Sequence, residues 1–403
     1  MTRPVLVIGA GLAGWTTVRE FRKLDSSTPV VMITADSGDF YAKPSLSNAF
    51  AQGRLPTQLV STPAAKMAES LNVTLMPHTR VEALDVAAKT VSTSAGTVAY
   101  RDLVLATGAQ PIRVPLEGRA ADRVISVNSL EDFARFHAEL QPAGDSAGNR
   151  GRHVLVMGAG LIGCEFANDL AQAGYRVSVV DPGTRPLAAL LPEAASAALQ
   201  QALEALGVRF YFGTTVRAVD PAASQPAGAD ALAVSLAVSL ANGEVIDADC
   251  VLSAIGLRAD TALARAAGLM VDRAIVVNTR LQTSAEGVYA LGDSAQYASA
   301  ASKLSVHGCA LPYVMPIMAA AKALAANLAG TPAEVVFPLM PVSVKTPALP
   351  LVVAPPQPGT DGQWHMPETG LWQWVDEAGL QRGFVLAGAQ TSQRMVQSRR
   401  VAL

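Results

Sequence analysis

Cysteine is scarce in this sequence and absent before position 164. Cys164, Cys250 and Cys309 are the only three, with no C-x-x-C and no metal-ligand spacing among them. A metal site is therefore not expected. The plain reading of all three is as buried small hydrophobes, and a low, odd count suits a reducing compartment. Charge is also sparse. Asp, Glu, Lys and Arg make up 16% of the chain and the formal net charge is -2, which gives no support to a nucleic-acid partner. A long uninterrupted apolar run is missing too. The most apolar stretch, Cys309 to Gly330, contains Pro312, Pro316 and Lys322, whereas a membrane span needs about 20 strongly apolar residues. It reads as a loop followed by a buried helix. The first strand begins by about residue 4, leaving no room for a signal peptide. The expectation is a cytoplasmic protein without membrane insertion, as a monomer.

What is present is a large apolar fraction and one sentence written twice. Half of the 403 residues are apolar, enough for two or three domains with buried cores. Val5-Leu6-Val7-Ile8-Gly9-Ala10-Gly11-Leu12-Ala13-Gly14 is followed by Val154-Leu155-Val156-Met157-Gly158-Ala159-Gly160-Leu161-Ile162-Gly163. In each, an apolar strand runs into G-x-G-x-x-G and then into a helix. Second strands are expected at Val30–Thr34 and Val177–Val180. Two later apolar strands, within 102–109 and 249–256, follow the two motifs at similar distances, so a whole module is repeated. Continuous apolar strands suit a parallel sheet covered on both faces. The stretch Pro142–Gly151 reads as a linker and Asp220–Asp230 as a loop. From Pro332 the texture changes. Strands are expected at Val342–Val344, Leu351–Val353, Leu371–Val375 and Gly383–Leu386, with a turn over Pro358–Gly362. The fold class is α/β: two Rossmann-like dinucleotide-binding domains plus a small α+β C-terminal domain.

The chemistry of the repeated motif follows from its glycines. The first allows the tight turn, the second lets backbone approach a pyrophosphate, and the third lets helix and strand pack closely. The helix N-terminus then offers free N–H groups and a positive dipole end. Gly9, Gly11 and Gly14, with Ala10, Leu12 and Ala13 between and beside them, form one such site. Gly158, Gly160 and Gly163, with Leu161 and Ile162, form the other. An acid about 20 residues on should meet the adenosine ribose. In the first copy this is Asp36, one or two residues late, so that the backbone of Thr34 and Ala35 shares the contact. In the second it is Asp181, directly after the strand. A carboxylate there accepts from a 2′-hydroxyl and repels a 2′-phosphate, which favours NADH over NADPH, a preference tempered by nearby Arg185.

The segment Thr283 to Ala295 ends a short strand at Gly292-Asp293. Here the chain resembles the two-dinucleotide flavoprotein reductases, in which an Ala-x-Gly-Asp segment holds FAD and its aspartate bonds the ribityl chain. Five further segments narrow the resemblance: Tyr41-Ala42-Lys43-Pro44-Ser45-Leu46-Ser47, the helix start Gly160 to Leu170, Leu311-Pro312-Tyr313-Val314-Met315-Pro316, Val342 to Pro347, and Pro350 to Pro356. With their spacing, over about residues 4 to 365, they are similar to the rubredoxin reductases of the pseudomonad type. Residues beyond 365 give no specific match.

The resemblance implies an FAD-binding domain over 1–114 and 249–331, an NAD(H)-binding domain over 115–248, and a C-terminal domain over 332–403 closing on the flavin. It implies that Gly292 and Asp293 hold FAD and that Val81 bonds the adenine through its backbone. Val314 lies beside the flavin ring at a positive helix end. Lys345 approaches the flavin from the C-terminal domain. Pro44, Ala106, Thr107, Gly108 and Gly256 line the cofactor path. Lys43 and Glu165 are the catalytic candidates, expected to pair beside the flavin and nicotinamide. A buried lysine and glutamate are tolerable mainly as a pair, and the bland alternative is a surface lysine and a helix-face glutamate. Sister ferredoxin reductases usually carry lysine after Leu-Ser, where this chain has Asn48. The implied activity is that of an NADH-dependent FAD flavoprotein passing electrons singly to rubredoxin. The alternatives are a ferredoxin or flavorubredoxin reductase of an oxygenase or nitric-oxide system, an NADH-responsive sensor or scaffold, and a small-molecule oxidase. No cysteine lies near Ser45–Asn48, so the thiol chemistry of disulfide reductases, peroxidases and CoA-disulfide reductases is excluded. A thiol pair of His307 with Cys309 is not required. Arg394, Arg399 and Arg400 either steer an acidic partner or belong to a solvated tail.

Overall fold

The two apolar motif strands sit at the centres of two parallel sheets. A computed structural model describes residues 3–141, 151–222, 235–298, 311, 313–357 and 359–402. Val5–Ile8 is buried along its whole length. It pairs in parallel with Val30–Ile33 on one side and Asp102–Leu105 on the other. Thr74–Met76 and Val288–Ala290 complete this five-stranded sheet at its edges. His153–Met157 is likewise flanked in parallel by Arg176–Asp181 and Cys250–Ser253, with Arg209–Phe212 and Ile125–Ser126 at the edges. In both sheets the crossovers leave the motif strand in opposite directions, which opens a crevice at its carboxyl end.

Each motif strand turns directly into a helix, Leu12–Arg22 and Leu161–Gln172. Trp15, Val18 and Phe21 recur along one side of the first and are buried in the core. The apolar stretch of the sequence forms the helix Val314–Leu328, whose Ile317, Ala320, Ala321 and Leu324 join that same core. Among the described residues no helix is long and apolar enough to cross a membrane. Most of the Pro142–Gly151 and Asp220–Asp230 segments lies outside the described residues, as do His307, Cys309, Pro312 and Pro358.

One expected boundary is corrected. The strand Cys250–Ser253 hydrogen-bonds to His153–Met157 and Ile125–Ser126 in the second sheet, so the return to the first unit comes after it and not at 249. The physical reason is the module repeat itself, since the parallel strand on that side of the motif strand has to be supplied locally. The return runs through an antiparallel ribbon of Ala109–Pro111 against Leu257–Ala259, in which the outgoing and incoming chains brace one another.

The C-terminal sheet is antiparallel, in the order Val342–Val344, Leu351–Ala354, Gln381–Ala387, Leu371–Val375, Gln363–Glu368. The last strand was not expected, and a short helix, Arg394–Arg400, follows the sheet. Val344, Leu351, Val353, Trp372 and Val385 face the core of the second unit.

Polar residues lock the three units together. Glu165, Asn168 and Asp169 lie on one face of the Leu161–Gln172 helix, at the spacing that stacks side chains, and all three are buried. The Asp169 carboxylate accepts from the backbone N–H groups of Phe50 and Ala51, both at 2.9 Å. Oδ1 of Asn168 accepts from the Ala348 N–H at 3.0 Å. Removing the acceptor orphans two N–H groups, that of Phe50 in a buried setting and that of Ala51 in a part-buried one. Asp169→Ala is therefore expected to destabilise the protein by about 2–4 kcal/mol, read as a lower urea midpoint. A change within experimental error would show that the contact is dispensable.

Candidate functional site

The two glycine loops are geometric copies. Gly9 and Gly158 adopt φ of +106° and +101°, a region closed to most side chains. A Cβ on Gly9 would lie 2.2 Å from the Ala106 carbonyl oxygen, and one on Gly158 would lie 2.7 Å from that of Ala254. At Gly14 and Gly163 a Cβ would come within 2.0 and 1.9 Å of the Gly9 and Gly158 oxygens. The middle glycines differ. Nothing lies within 4 Å of a Cβ built on Gly11 or Gly160. Each is an extended N-cap with no side-chain hydrogen bond and no acid in the first helical turn. Each loop thus presents open space before uncapped N–H groups at a positive helix end, which fits a pyrophosphate. Leu161 is half-buried and Ile162 exposed in that first turn of the second helix.

The acids beside the loops differ in their duties. Asp36 takes hydrogen bonds from the Thr34 hydroxyl and from the Gly38 N–H at 3.1 Å. The Thr34 carbonyl accepts from the Thr79 N–H at 2.8 Å, which brings the chain leading to half-buried Val81 beside Thr34, Ala35 and Asp36. Asp181 holds its own loop, accepting from the Ala159 N–H at 2.7 Å and the Gly183 N–H at 2.6 Å. Arg185, close in sequence, is turned onto the Leu191 carbonyl at 2.9 Å.

The strand Val288–Ala290 delivers Asp293 to the first loop. Gly292, at φ +75°, donates its N–H to the Tyr297 hydroxyl, and a Cβ there would lie 3.0 Å from that of Ala13. Asp293 therefore sits against the start of the first motif helix, beside Gly9, Ala10, Gly11, Leu12 and Gly14. Lys43 faces it. Burial pulls the Lys43 ammonium below its ordinary pKa, opposed chiefly by Asp293. Burial pushes the Asp293 carboxyl up, opposed by Lys43. Among the described residues no carboxylate comes within ion-pair distance of Lys43, so Asp293 acts on it from farther than a direct ion pair. Val314 is 41% exposed at the start of its helix, which has no side-chain N-cap.

The expected Lys43–Glu165 pair does not form. Glu165 is fully buried and pairs with Lys345, whose ammonium lies 2.6 Å from Oε2. Oε2 also accepts from the Ser47 hydroxyl at 2.6 Å, and Oε1 from the Lys345 N–H at 2.9 Å. The Lys345 ammonium also donates to the Pro44 carbonyl. The reason lies in the 3-10 helix Lys43–Asn48. It is kinked at Ser47, and this later residue meets Glu165 while Lys43, four residues earlier, does not. The cation beside Glu165 thus comes from the C-terminal domain, in a chain with Asn48 after Leu46-Ser47.

Not all expected cofactor-path residues face the loops alike. Ala106 touches the first loop directly through its carbonyl. Thr107 donates its hydroxyl to the Asp260 carbonyl at 2.9 Å, Gly108 accepts from the Asp260 N–H, and Gly256 accepts from the Ile112 N–H. These three brace the crossover ribbon. Cys164 and Cys250 are buried, with thiols pushed up to about 12 by desolvation, so neither is a reactive thiolate at neutral pH. Ser47, Asn168 and Asp169 were not singled out from the sequence. For Asn168 and Asp169 the signal was a polar i, i+3, i+4 stripe with Glu165 within an otherwise apolar helix; Ser47 had none.

Two substitutions separate folding from binding. Gly14→Ala forces a Cβ onto a backbone oxygen and is expected to lower the melting temperature of the flavin-free protein by several degrees, a loss of roughly 2 kcal/mol or more. Gly11→Val fills open space. It should leave that melting point nearly unchanged while weakening FAD binding at least about tenfold, since one lost contact of 1.4 kcal/mol has that effect. Fluorescence titration with FAD would check this, and unimpaired binding would refute it. A pH series tests Asp293. A carboxyl raised by burial costs stability as pH climbs from the ordinary carboxylate range through its folded value. Flavin-free Asp293→Asn should therefore melt like the parent below pH 4 and above it at pH 7. A parent more stable at pH 7 would contradict the assignment.

The comparisons with known proteins agree with this geometry. The family described as pyridine nucleotide-disulphide oxidoreductase matches residues 3–321, and the rubredoxin binding C-terminal domain matches residues 334–400. The chain is 42% identical to the rubredoxin-NAD(+) reductase of Alcanivorax borkumensis over 397 residues, 97% of each chain. It is 39% identical to the nitric oxide reductase FlRd-NAD(+) reductase of Aeromonas hydrophila, over 97% of this chain and 95% of that one. The covalent putidaredoxin reductase–putidaredoxin complex contains a chain that superposes with a TM-score of 0.84, covering 99% of this chain and 93% of its own at 22% identity, a likeness of fold. With two copied dinucleotide loops, an aspartate turn on the first, and a C-terminal sheet closing on the second, the chain belongs to the FAD- and NAD(P)H-dependent pyridine nucleotide-disulphide oxidoreductase family.

Proposed function

We propose that this protein is an NADH-dependent FAD reductase that passes electrons from NADH through the flavin, one at a time, to rubredoxin. The observation that carries the proposal is the union, in one chain, of two open glycine cradles with a C-terminal domain of the rubredoxin-binding type. The likeness over 97% of the length to a protein named rubredoxin-NAD(+) reductase supports it. Bound FAD supplies the conversion of a two-electron hydride donor into single-electron transfer.

The chain's own residues would do the holding and positioning. N–H groups at Gly11 and Leu12 grip the FAD pyrophosphate, Asp36 the ribose, the Val81 backbone the adenine, and Asp293 the ribityl chain. Gly160, Leu161 and Ile162 take the NADH pyrophosphate. Asp181 meets the adenosine ribose and excludes a 2′-phosphate, with Arg185 turned away onto Leu191. Lys43 places a cation beside the flavin, where it offsets negative charge. Glu165, fixed by Lys345 and Ser47, borders the nicotinamide end. The protein works in the cytoplasm as a monomer. The 39% likeness to a protein named nitric oxide reductase FlRd-NAD(+) reductase favours a flavorubredoxin as a second acceptor.

An acceptor panel tests the proposal. NADH should bleach the bound flavin rapidly and NADPH at least about tenfold more slowly, the effect of 1.4 kcal/mol. Rubredoxin should reoxidise the flavin catalytically, with a rate that falls as salt rises. A ferredoxin reduced ten times faster than any rubredoxin would overturn the partner. Bleaching without reoxidation by a protein acceptor would point to a sensor, and turnover sustained by oxygen alone to an oxidase.

A further inference from the structure

The C-terminal helix Arg394–Arg400 is built inside out. Its inward residue is polar: Gln397 is 1% exposed, its Oε1 accepts from Gln373 Nε2 at 3.0 Å and Gln381 Nε2 at 3.3 Å, and its Nε2 donates to Gln393 at 3.2 Å. Its outward residues are apolar and cationic. Met395 is 65% and Val396 49% exposed, and Arg399 and Arg400 are exposed as well. At 100° per residue, positions 395, 396, 399 and 400 share one face. A surface helix ordinarily shows the reverse, with apolar residues toward the core.

We propose that this outer face, Met395 and Val396 flanked by Arg399 and Arg400, is where rubredoxin docks. The inference rests on the reductase assignment above and goes beyond it, because the match over 334–400 identifies a domain and no face of it. Charge selects the occupant. From Gln381 to the C-terminus the sequence contains four arginines and no acidic residue. Arg382 is paired with Asp376, while Arg399 and Arg400 form no ion pair among the described residues. Rubredoxin is a small acidic iron protein, so its surface complements this face. A second copy of this chain would not. A two-fold contact buries the same patch from both copies, which brings four arginines together with no carboxylate from the patch to answer them. Two apolar side chains ringed by cations also suit a partner that must leave after each electron, since weak redox encounters bury little area and rely on steering.

The helix is also well placed. Arg394 donates to the Pro341 carbonyl at 3.1 Å and to the Ser343 hydroxyl at 3.4 Å. It thereby fastens the helix to the strand Val342–Val344, which leads directly into Lys345 at the Glu165 junction. A partner seated on the helix rests on the domain that carries Lys345.

The holoenzyme with Met395→Asp and Val396→Asp, and separately with Arg399→Glu and Arg400→Glu, tests the proposal. All four side chains are exposed, and NADH–ferricyanide activity reports an intact flavin site. Both variants should keep that activity. The aspartate pair should raise the KM for rubredoxin at least tenfold with kcat little changed. The glutamate pair should in addition flatten the salt dependence of kcat/KM. Unchanged KM and salt dependence, in an enzyme that still reduces rubredoxin, would overturn the docking face and leave the reductase assignment standing. A parent enzyme that reduces no rubredoxin would overturn both. A parent dimer in sedimentation that the aspartate pair converts to monomer would show the face to be a self-contact and would likewise overturn the proposal.

Discussion

One fully buried carboxylate, that of Glu165, joins all three units of this protein. It belongs to the helix after the second glycine loop, and its partners come from elsewhere: a hydroxyl from the first unit, and an ammonium and a backbone N–H from the C-terminal domain. A charge with no exposure is tolerable only while its partners are in place, and removing one partner of such a pair typically costs about 3–5 kcal/mol. This contact therefore helps hold the domains in register. The stabilisation relative to an apolar junction is small, because desolvating the carboxylate offsets most of the Coulomb gain. What the junction supplies is a specific arrangement.

Asn168 and Asp169 extend that logic along the same helix face, each meeting backbone N–H groups of a different unit. The helix whose N-terminus offers a phosphate site thus carries, one turn on, the contacts that set the neighbouring units. Phosphate binding and domain placement share one rigid element. By contrast, the Lys43–Asp293 pair is left apart, with burial weakening the charged state of both.

Local patterns read well because they depend on local sterics. The strand–glycine–helix motifs, the late apolar strands and most of the C-terminal strands lie where alternation, glycine and proline place them. The misreadings concern long-range geometry. Lys43 and Ser47 are four residues apart on paper, and only the 3-10 helix shows that one meets Glu165 and the other does not. Position 249 is a break in texture, yet the strand after it completes the second sheet. Gln363–Glu368 carries a proline and polar residues. It is an exposed edge strand with a register break between His365 and Glu368, both settings in which a sheet tolerates proline. The last helix escaped notice because its apolar residues face outward, where periodicity gives no core signal.

By itself the sequence determined the doubled loops. Only glycine reaches the backbone angles of Gly9 and Gly158, and only glycine fits where Gly14 and Gly163 touch a carbonyl. It also excluded a redox cysteine of the disulfide-reductase type near the first loop, since no cysteine precedes Cys164. The tertiary structure alone decided which lysine answers Glu165, which acid holds its own loop, and which residues of the final helix are exposed. Those outcomes depend on how rigid units approach one another across tens to hundreds of residues. Local preferences constrain that approach only weakly, whereas the need to satisfy a buried charge constrains it strongly.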